Sequence, residues 1–329
     1  MRVNFLLVWL FASVTLKPVH HYVFFGGDRD QIQTDSAFLA TKSIEGAQIL
    51  YPWRRLEPNR DQYDFSPIRE DLEFLTSRGK KLFIQLQEVT FDSTRINVPR
   101  YLLNDSIYHG GVARQYRNGS ENDSIPIPQG WVARRWDPAV QDRFYKLLIA
   151  LGKEFDGKIE GINLPETSVV MGPNRRFHPA GFTFEKYRDA IIANMKVFKQ
   201  AFPKSVAMQY ANFMPGEWRP TSDKGYLSAV YAAARELKVA VGGPDVMPSR
   251  PGQMNGPYPL IRESAGIVPT GLAVQDGNLA EINPKTGKKV TAAELLEFAV
   301  EDLKLDYIFW GREEPYYSSE IMPVLRGIK

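Results

Sequence analysis

The sequence predicts a single eight-stranded (β/α)8 barrel, and three observations favour this fold. Eight short apolar runs alternate with longer amphipathic stretches along the chain, which is the order expected of parallel strands joined by helices. The length of 329 residues suits one barrel of about 250 residues with long loops. No glycine-rich phosphate loop follows the first run, as an open dinucleotide-binding sheet would require.

The eight apolar runs are continuous rather than alternating, which is typical of strands that are buried on both faces. Consecutive strands of this kind pair in parallel through right-handed crossovers. The predicted strands are 21–27, 46–51, 81–87, 159–164, 206–211, 239–243, 271–276 and 306–310.

Residues with capping side chains precede several of the amphipathic stretches, and each predicts the start of a helix. Thr291 is followed three residues later by Glu294, which predicts a capping box. The predicted N-caps are Ser66, Asp137, Thr183 and Thr291.

The N-terminus has the pattern of a secretory signal. Arg2 precedes an apolar stretch over 5–14, which is shorter than the roughly 20 residues of a membrane span. We therefore expect a signal peptide over 1–19, a barrel domain over 20–329, and a secreted or periplasmic protein without stable membrane insertion. The alternative is that this stretch adds a first strand to the domain.

Composition excludes several classes of site. The chain has no cysteine, which excludes disulfides, thiolate metal sites and a cysteine nucleophile. Its four histidines are scattered, so no metal site and no cofactor are expected. The net charge of +3 is spread without long runs, which gives no indication of a nucleic-acid partner.

One connection is unusually long. Residues 89–130 separate the third strand from its helix, and loops of this length are usually functional. Because the loop follows a strand, it should lie on the face where barrels carry their sites. We expect a lid or wall over the cleft. The aromatic residues expected to line sugar subsites there are Tyr101, Tyr108, Tyr116 and Trp131.

The residues just past each strand are carboxylates, amides and aromatics, as a sugar-cleaving site requires. Glycoside hydrolysis needs one carboxylic acid to protonate the leaving oxygen and a second carboxylate to attack the sugar or activate water. Aromatic faces, amides and arginines bind sugar rings and hydroxyls. The expected substrate-binding residues are Trp53, Arg54, Gln87, Glu88, Tyr210, Asn212, Asp245, Gln275 and Trp310.

Two segments, YPWRRLEPNRDQYDFSPIREDLEFLTSRGKKLFIQL (51–86) and RWDPAVQDRFYKLLIALGKEFDGKIEGINLPE (135–166), resemble retaining glycoside hydrolases of the (β/α)8 superfamily often called clan A. The resemblance implies that Glu166 is the acid/base, that Asp276 takes the place of the nucleophile, and that Trp310 is a sugar platform. The chain departs from the family at two positions: Pro165 stands where the family has Asn, and Asp276 ends the seventh strand where the family has Glu.

We therefore predict a glycoside hydrolase that cleaves an oligo- or polysaccharide. A carbohydrate-binding barrel that has lost its catalytic pair is the main alternative. A lyase or aldolase is a weaker one, because no strand ends in a candidate Schiff-base lysine. Individual residues also have structural alternatives. Trp53 and Trp310 could belong to the core, Glu166 could be a capping residue, and Asp276 could be an ordinary turn residue.

Overall fold

The computed structural model describes residues 18–117, 125–172 and 176–328. Eight strands of these residues form a closed, all-parallel barrel, which confirms the predicted fold and each predicted strand. The barrel strands are β1 (His20–Phe24), β2 (Ile44–Pro52), β3 (Lys81–Gln87), β6 (Gly161–Leu164), β7 (Val206–Tyr210), β8 (Ala240–Gly243), β9 (Thr270–Val274) and β10 (Tyr307–Gly311). Their order around the barrel is β1-β10-β9-β8-β7-β6-β3-β2. The remaining strands, β4 (Val112–Tyr116) and β5 (Pro128–Ala133), form an antiparallel hairpin.

Helices connect the strands and cover the barrel. Those that pack most closely are α6, α7 and α8, which follow one another around the outside. The α-helices of the described residues are α1 (Gln31–Thr34), α2 (Ser36–Ala40), α3 (Trp53–Leu56), α4 (Ser66–Ser77), α5 (Arg100–Asn104), α6 (Pro138–Phe155), α7 (Phe184–Ala201), α8 (Tyr226–Leu237), α9 (Pro251–Asn255), α10 (Pro257–Ser264), α11 (Asp276–Ala280), α12 (Ala292–Glu297) and α13 (Met322–Gly327).

Three of the four predicted N-caps are confirmed. Asp137 accepts from two backbone N–H groups of α6, Thr183 accepts from one of α7, and Thr291 forms the predicted capping box with Glu294. The prediction for Ser66 is wrong by one position, because α4 begins at Ser66 itself. The carboxylate of Asp64 accepts from the Ser66 N–H and hydroxyl there.

The side chains of each strand alternate between the lumen and the helix layer, as the pleat requires. Tyr307 and Phe309 of β10 point inward and pack with Tyr22 and Phe83. Trp310, one position further along, belongs to the layer between strands and helices.

Nearer the carboxyl ends of the strands, the lumen becomes polar. The amide of Gln48 donates to Asn163 Oδ1 at 2.9 Å and to the Tyr210 hydroxyl at 3.0 Å. All three side chains are buried. The floor beneath the strand ends is therefore a fixed hydrogen-bonded network rather than an apolar plug.

The long connection after β3 lies on the carboxyl-terminal face, as predicted. The Thr90 N–H donates to the Trp131 carbonyl at 2.7 Å, and the Tyr116 N–H donates to the carbonyl of Val170, which follows β6, at 3.0 Å. The β4–β5 hairpin is thus anchored beside the ends of β3 and β6.

The aromatic residues of this connection do not all face solvent. The Tyr108 side chain is buried against the Tyr101 ring, and the Tyr101 hydroxyl accepts from Arg143. These two are packing residues, so their prediction as sugar subsites is wrong. Trp131 is partly exposed, and the Arg114 guanidinium lies 3.7 Å from its ring centre.

None of the helices in the described ranges is long and apolar enough to cross a membrane. Residues 1–17, which carry most of the predicted signal peptide, lie outside those ranges.

Candidate active site

Glu166 stands two residues past β6, at the carboxyl-terminal mouth of the barrel. Burial of its carboxyl group, helped by the negative charge of Asp245, raises its pKa to about 7. A hydrogen bond from Asn212 and the charge of Arg135 oppose this shift. Glu166 is therefore a carboxylic acid that exchanges its proton near neutral pH, as general acid–base catalysis requires.

Asn212 fixes the orientation of Glu166 from the neighbouring strand. It follows β7 by two residues, and its Nδ2 donates to Glu166 Oε2 while its Oδ1 accepts from the Ser168 N–H at 3.2 Å. The Thr167 hydroxyl also donates to the Phe213 carbonyl at 2.7 Å. These bonds join the loops after β6 and β7 into one unit around the acid.

Glu88 supports the site from below and is closed to a substrate. Its side chain is 3% exposed and forms a 2.6 Å ion pair with Arg135, whose side chain is 4% exposed. Arg135 also donates to the main-chain carbonyl of Glu166 at 3.0 Å. The prediction that Glu88 binds sugar is wrong, because its carboxylate is engaged by Arg135 and by the Ala133 N–H.

Asp245 is the carboxylate whose charge acts on Glu166. It follows β8 and is partly buried, and Asn278 Nδ2 donates to its Oδ1 at 3.1 Å. Burial raises the pKa of Asp245, while the bond from Asn278 favours its ionised form. Asp245 and Glu166 thus follow β8 and β6, the two strands on either side of β7.

Asp276 lies at the end of β9, as predicted, but it is exposed and begins helix α11. Its Oδ1 accepts from the next N–H, that of Gly277, at 2.6 Å, which is the local turn bonding typical of aspartate. Gln275 forms a capping box with Asn278 at the same helix start. This pair shapes the loop, and the Gln275 side chain donates to the Pro244 carbonyl.

Glu313 is a carboxylate of the barrel mouth that the sequence analysis missed. Its Oε2 lies 2.2 Å from the point where a Cβ on Gly311 would stand, and it accepts from the Asp276 N–H at 3.2 Å. Gly311 occupies an inward-facing position of β10, like Tyr307 and Phe309. Because Glu313 Oε2 lies where a side chain of Gly311 would point, the Glu313 side chain folds back over the lumen. Burial raises the pKa of Glu313, and the charge of Asp276 raises it further.

The two tryptophans predicted to bind substrate, Trp310 as a sugar platform, are core residues, so that prediction is wrong. Trp53 and Trp310 are both 0% exposed. The Trp53 indole N–H donates to Glu57 Oε2, and the Trp310 indole N–H donates to His21 Nδ1. Both stand at positions whose side chains point away from the lumen, so the two indoles pack between the strands and the helices.

The other predicted binding residues take different positions. Tyr210 lies in the lumen network, beneath the mouth. Arg54 is partly buried, and its guanidinium and N–H bond to the carbonyls of Ile96 and Asn97, which holds the loop after β3. Gln87 borders an open cleft, and its Oε1 has no hydrogen-bond partner among the described residues.

At least two clefts bordered by described residues open on this face. One, of about 620 Å³, lies at the ends of β1, β2 and β3 and is bordered by Gln87, Phe91 and Arg55. The other, of about 490 Å³, begins at Ser168 and is bordered by Phe213 and Trp218. Both volumes are in the usual range for small-molecule sites. Within the described ranges, no three His, Asp or Glu side chains converge as a metal ion requires.

No protein-family model and no curated protein sequence matches the chain. Among solved structures it is similar to the catalytic domain of β-amylase from Paenibacillus polymyxa, with a TM-score of 0.56 and 9% identity over 89% of this chain and 92% of that one. It is also similar to xylanase 10B from Thermotoga petrophila RKU-1, solved with xylobiose, with a TM-score of 0.50 and 11% identity over 89% and 82%. The chain therefore has the (β/α)8 barrel fold of these glycoside hydrolases, as the sequence resemblance implied.

Proposed function

We propose that this protein hydrolyses O-glycosidic bonds of an oligo- or polysaccharide, with Glu166 as the general acid. The observation that carries the proposal is the partly buried carboxyl group of Glu166 at the end of β6, with its pKa raised to about 7. A group with this pKa is protonated often enough at neutral pH to donate a proton to a leaving oxygen. Its position at the strand ends is where barrels carry their catalytic residues.

The second carboxylate that we assign is Asp245. It acts electrostatically on Glu166, and the Asn278 amide that donates to it favours its ionised form. Asp276, which the family resemblance implies, is the alternative. Its exposure and its local bond to the Gly277 N–H favour a structural role in the start of α11.

A non-catalytic carbohydrate-binding barrel is the second candidate function. The observation that favours it is the exposed Asp276 at the place where the family carries its nucleophile. For either function the partner is a carbohydrate, and the apolar stretch over 5–14 supports a secreted or periplasmic location.

The test is release of reducing ends from a panel of polysaccharides by the purified protein and by three variants. We expect Glu166→Gln to lose about 10²–10⁴-fold in kcat, because the variant keeps the shape but has no proton to donate. The kcat of Asp245→Asn should fall by at least the same factor, and Asp276→Asn should keep near-native turnover. Circular dichroism establishes that each variant is folded.

Near-native turnover by Glu166→Gln would exclude it as the acid. If Asp276→Asn loses activity and Asp245→Asn does not, Asp276 rather than Asp245 is the second carboxylate. Binding of a polysaccharide without any release of reducing ends would support the non-catalytic alternative.

A further inference from the structure

An exposed aromatic pair borders the cleft beside Glu166. The Trp218 residue is 53% exposed, and its ring stacks on Phe213 with 5.3 Å between ring centres and an interplanar angle of 11°. Aromatic surface that stays in water at the edge of a cleft is apolar area that a ligand can cover. Parallel rings at the edge of a cleft present a flat apolar surface of the kind that the C–H face of a sugar covers.

The surrounding loop holds this pair in place before any ligand binds. The Trp218 N–H donates to the Ser222 carbonyl at 3.1 Å, and the Ser222 N–H donates back to Trp218 at 2.7 Å. The carboxylate of Glu217 accepts from the backbone N–H groups of Tyr226 and Leu227 at the start of α8. These bonds fix the backbone of the loop, and the stacking on Phe213 restrains the Trp218 ring, so little conformational freedom is lost on binding.

The position of the cleft relates the pair to the candidate acid. Its wall begins at Ser168, two residues after Glu166, and the bond from the Thr167 hydroxyl to the Phe213 carbonyl ties the two loops together. A general acid stands beside the leaving group, since it protonates the oxygen of that group. A cleft that begins beside Glu166 is therefore where we expect the departing sugar to bind.

The charges of the cleft indicate which sugar it accepts. Two charged side chains border it among the described residues, and both are compensated. Glu217 is bonded to backbone N–H groups, and Arg250 forms a 2.5 Å ion pair with Glu281. Because neither charge among these described residues is left to neutralise an acidic group, they suit a neutral ring. The Gln253 amide also borders the cleft and can bond to hydroxyls.

We propose that Phe213 and Trp218 form the leaving-group subsite of the enzyme and bind a neutral pyranose there. This inference rests on the proposed function, and it implies that the protein acts on sugar chains rather than on glycosides of small alcohols.

The test compares two kinds of substrate with the same glycone. Maltohexaose, xylohexaose and cellohexaose offer a sugar as leaving group, and the matching 4-nitrophenyl glycosides do not. We expect Trp218→Ala to lower kcat/KM for the oligosaccharide that is cleaved by roughly tenfold, or about 1.4 kcal/mol, with little change for the nitrophenyl substrate. Trp218→Phe should restore most of the loss. Ile149→Ala, which truncates a 56% exposed residue on the outer face of α6, is the control.

Equal losses on both substrates, or no loss on either, would overturn the assignment to the leaving-group side. Calorimetric titration of Glu166→Gln with the same hexasaccharides separates this inference from the proposed function. If nothing is cleaved, the proposed function fails. Binding that Trp218→Ala weakens would then still support the sugar platform, and the absence of binding would overturn it.

Discussion

Asn212 and Glu166 face each other across the loops after β7 and β6, with the amide nitrogen donating to the carboxylate. The same side chain accepts from the Ser168 N–H, so the amide has a fixed orientation. A donor held in this way stabilises the ionised form of Glu166 and lowers its pKa, against the larger effect of burial. The pair therefore sets the pH at which the acid loses its proton.

We expect Asn212→Ala to move the alkaline limb of the pH–rate profile to higher pH. Without the donor, the pKa of Glu166 rises above about 7, so the group stays protonated further into the alkaline range. The measurement is kcat/KM against pH on the cleaved polysaccharide. Asn59→Ala removes an amide that bonds to Gln62 in an exposed loop and should leave the limb in place. A shift to lower pH would contradict this account.

Glu313→Gln should lower kcat more than it changes KM. The Glu313 carboxylate lies over the lumen beside Gly311, on β10, which is opposite β6 in the closed barrel. A negative charge there stabilises the positive charge that develops on the sugar in the transition state. Glu314→Gln is the matched control, because Glu314 is exposed and bonds to Ser318. Equal kinetics for the two variants would exclude a role for the Glu313 charge.

Glu88→Gln should destabilise the protein by about 3–5 kcal/mol, because it leaves the buried guanidinium of Arg135 without its counter-ion. The measurement is the free energy of unfolding in urea. Glu154→Gln removes one partner of the ion pair with Arg69, whose side chain is 55% exposed, and should cost roughly 0–1 kcal/mol. Similar values for both variants would show that the Arg135 pair is not effectively buried.

Stability should fall as the pH drops from about 6.5 to about 4, in part through His21. Burial lowers the pKa of His21 to about 4, and its Nδ1 accepts from the Trp310 indole, which requires the neutral ring. Between these pH values the unfolded chain binds a proton that the native protein does not, so the native state loses roughly 3 kcal/mol on acidification. His21→Gln should remove this component. An unchanged pH dependence of urea unfolding in the variant would contradict it.

The fold was predictable because each strand of a closed barrel is buried on both faces and therefore appears as a continuous apolar run. The caps at Asp137, Thr183 and Thr291 were predictable because their side-chain bonds are local in sequence. Ser66 was misassigned because Asp64, two residues earlier, offers the same local bond.

The tryptophans were misassigned for a different reason. A residue near a strand end faces the site only if its side chain points into the lumen. The sequence does not show where the strand stops, so it does not show which residues these are. Because β10 continues to Gly311 and α3 begins directly at Trp53, both indoles face the helices. Glu313 was missed because its position depends on a side chain folding back across Gly311, which no local pattern encodes.

The contact between Gly311 and Glu313 also has an evolutionary consequence. Every residue other than glycine at 311 would place an atom 2.2 Å from the Glu313 carboxylate and 2.8 Å from the Val274 carbonyl. A side chain at 311 would therefore displace the Glu313 carboxylate from its place over the lumen, and it would also meet the backbone of β9 at Val274. Among homologues that share this mouth, the two positions should change together, and lineages that lose the glycine should also have lost the glutamate two residues later.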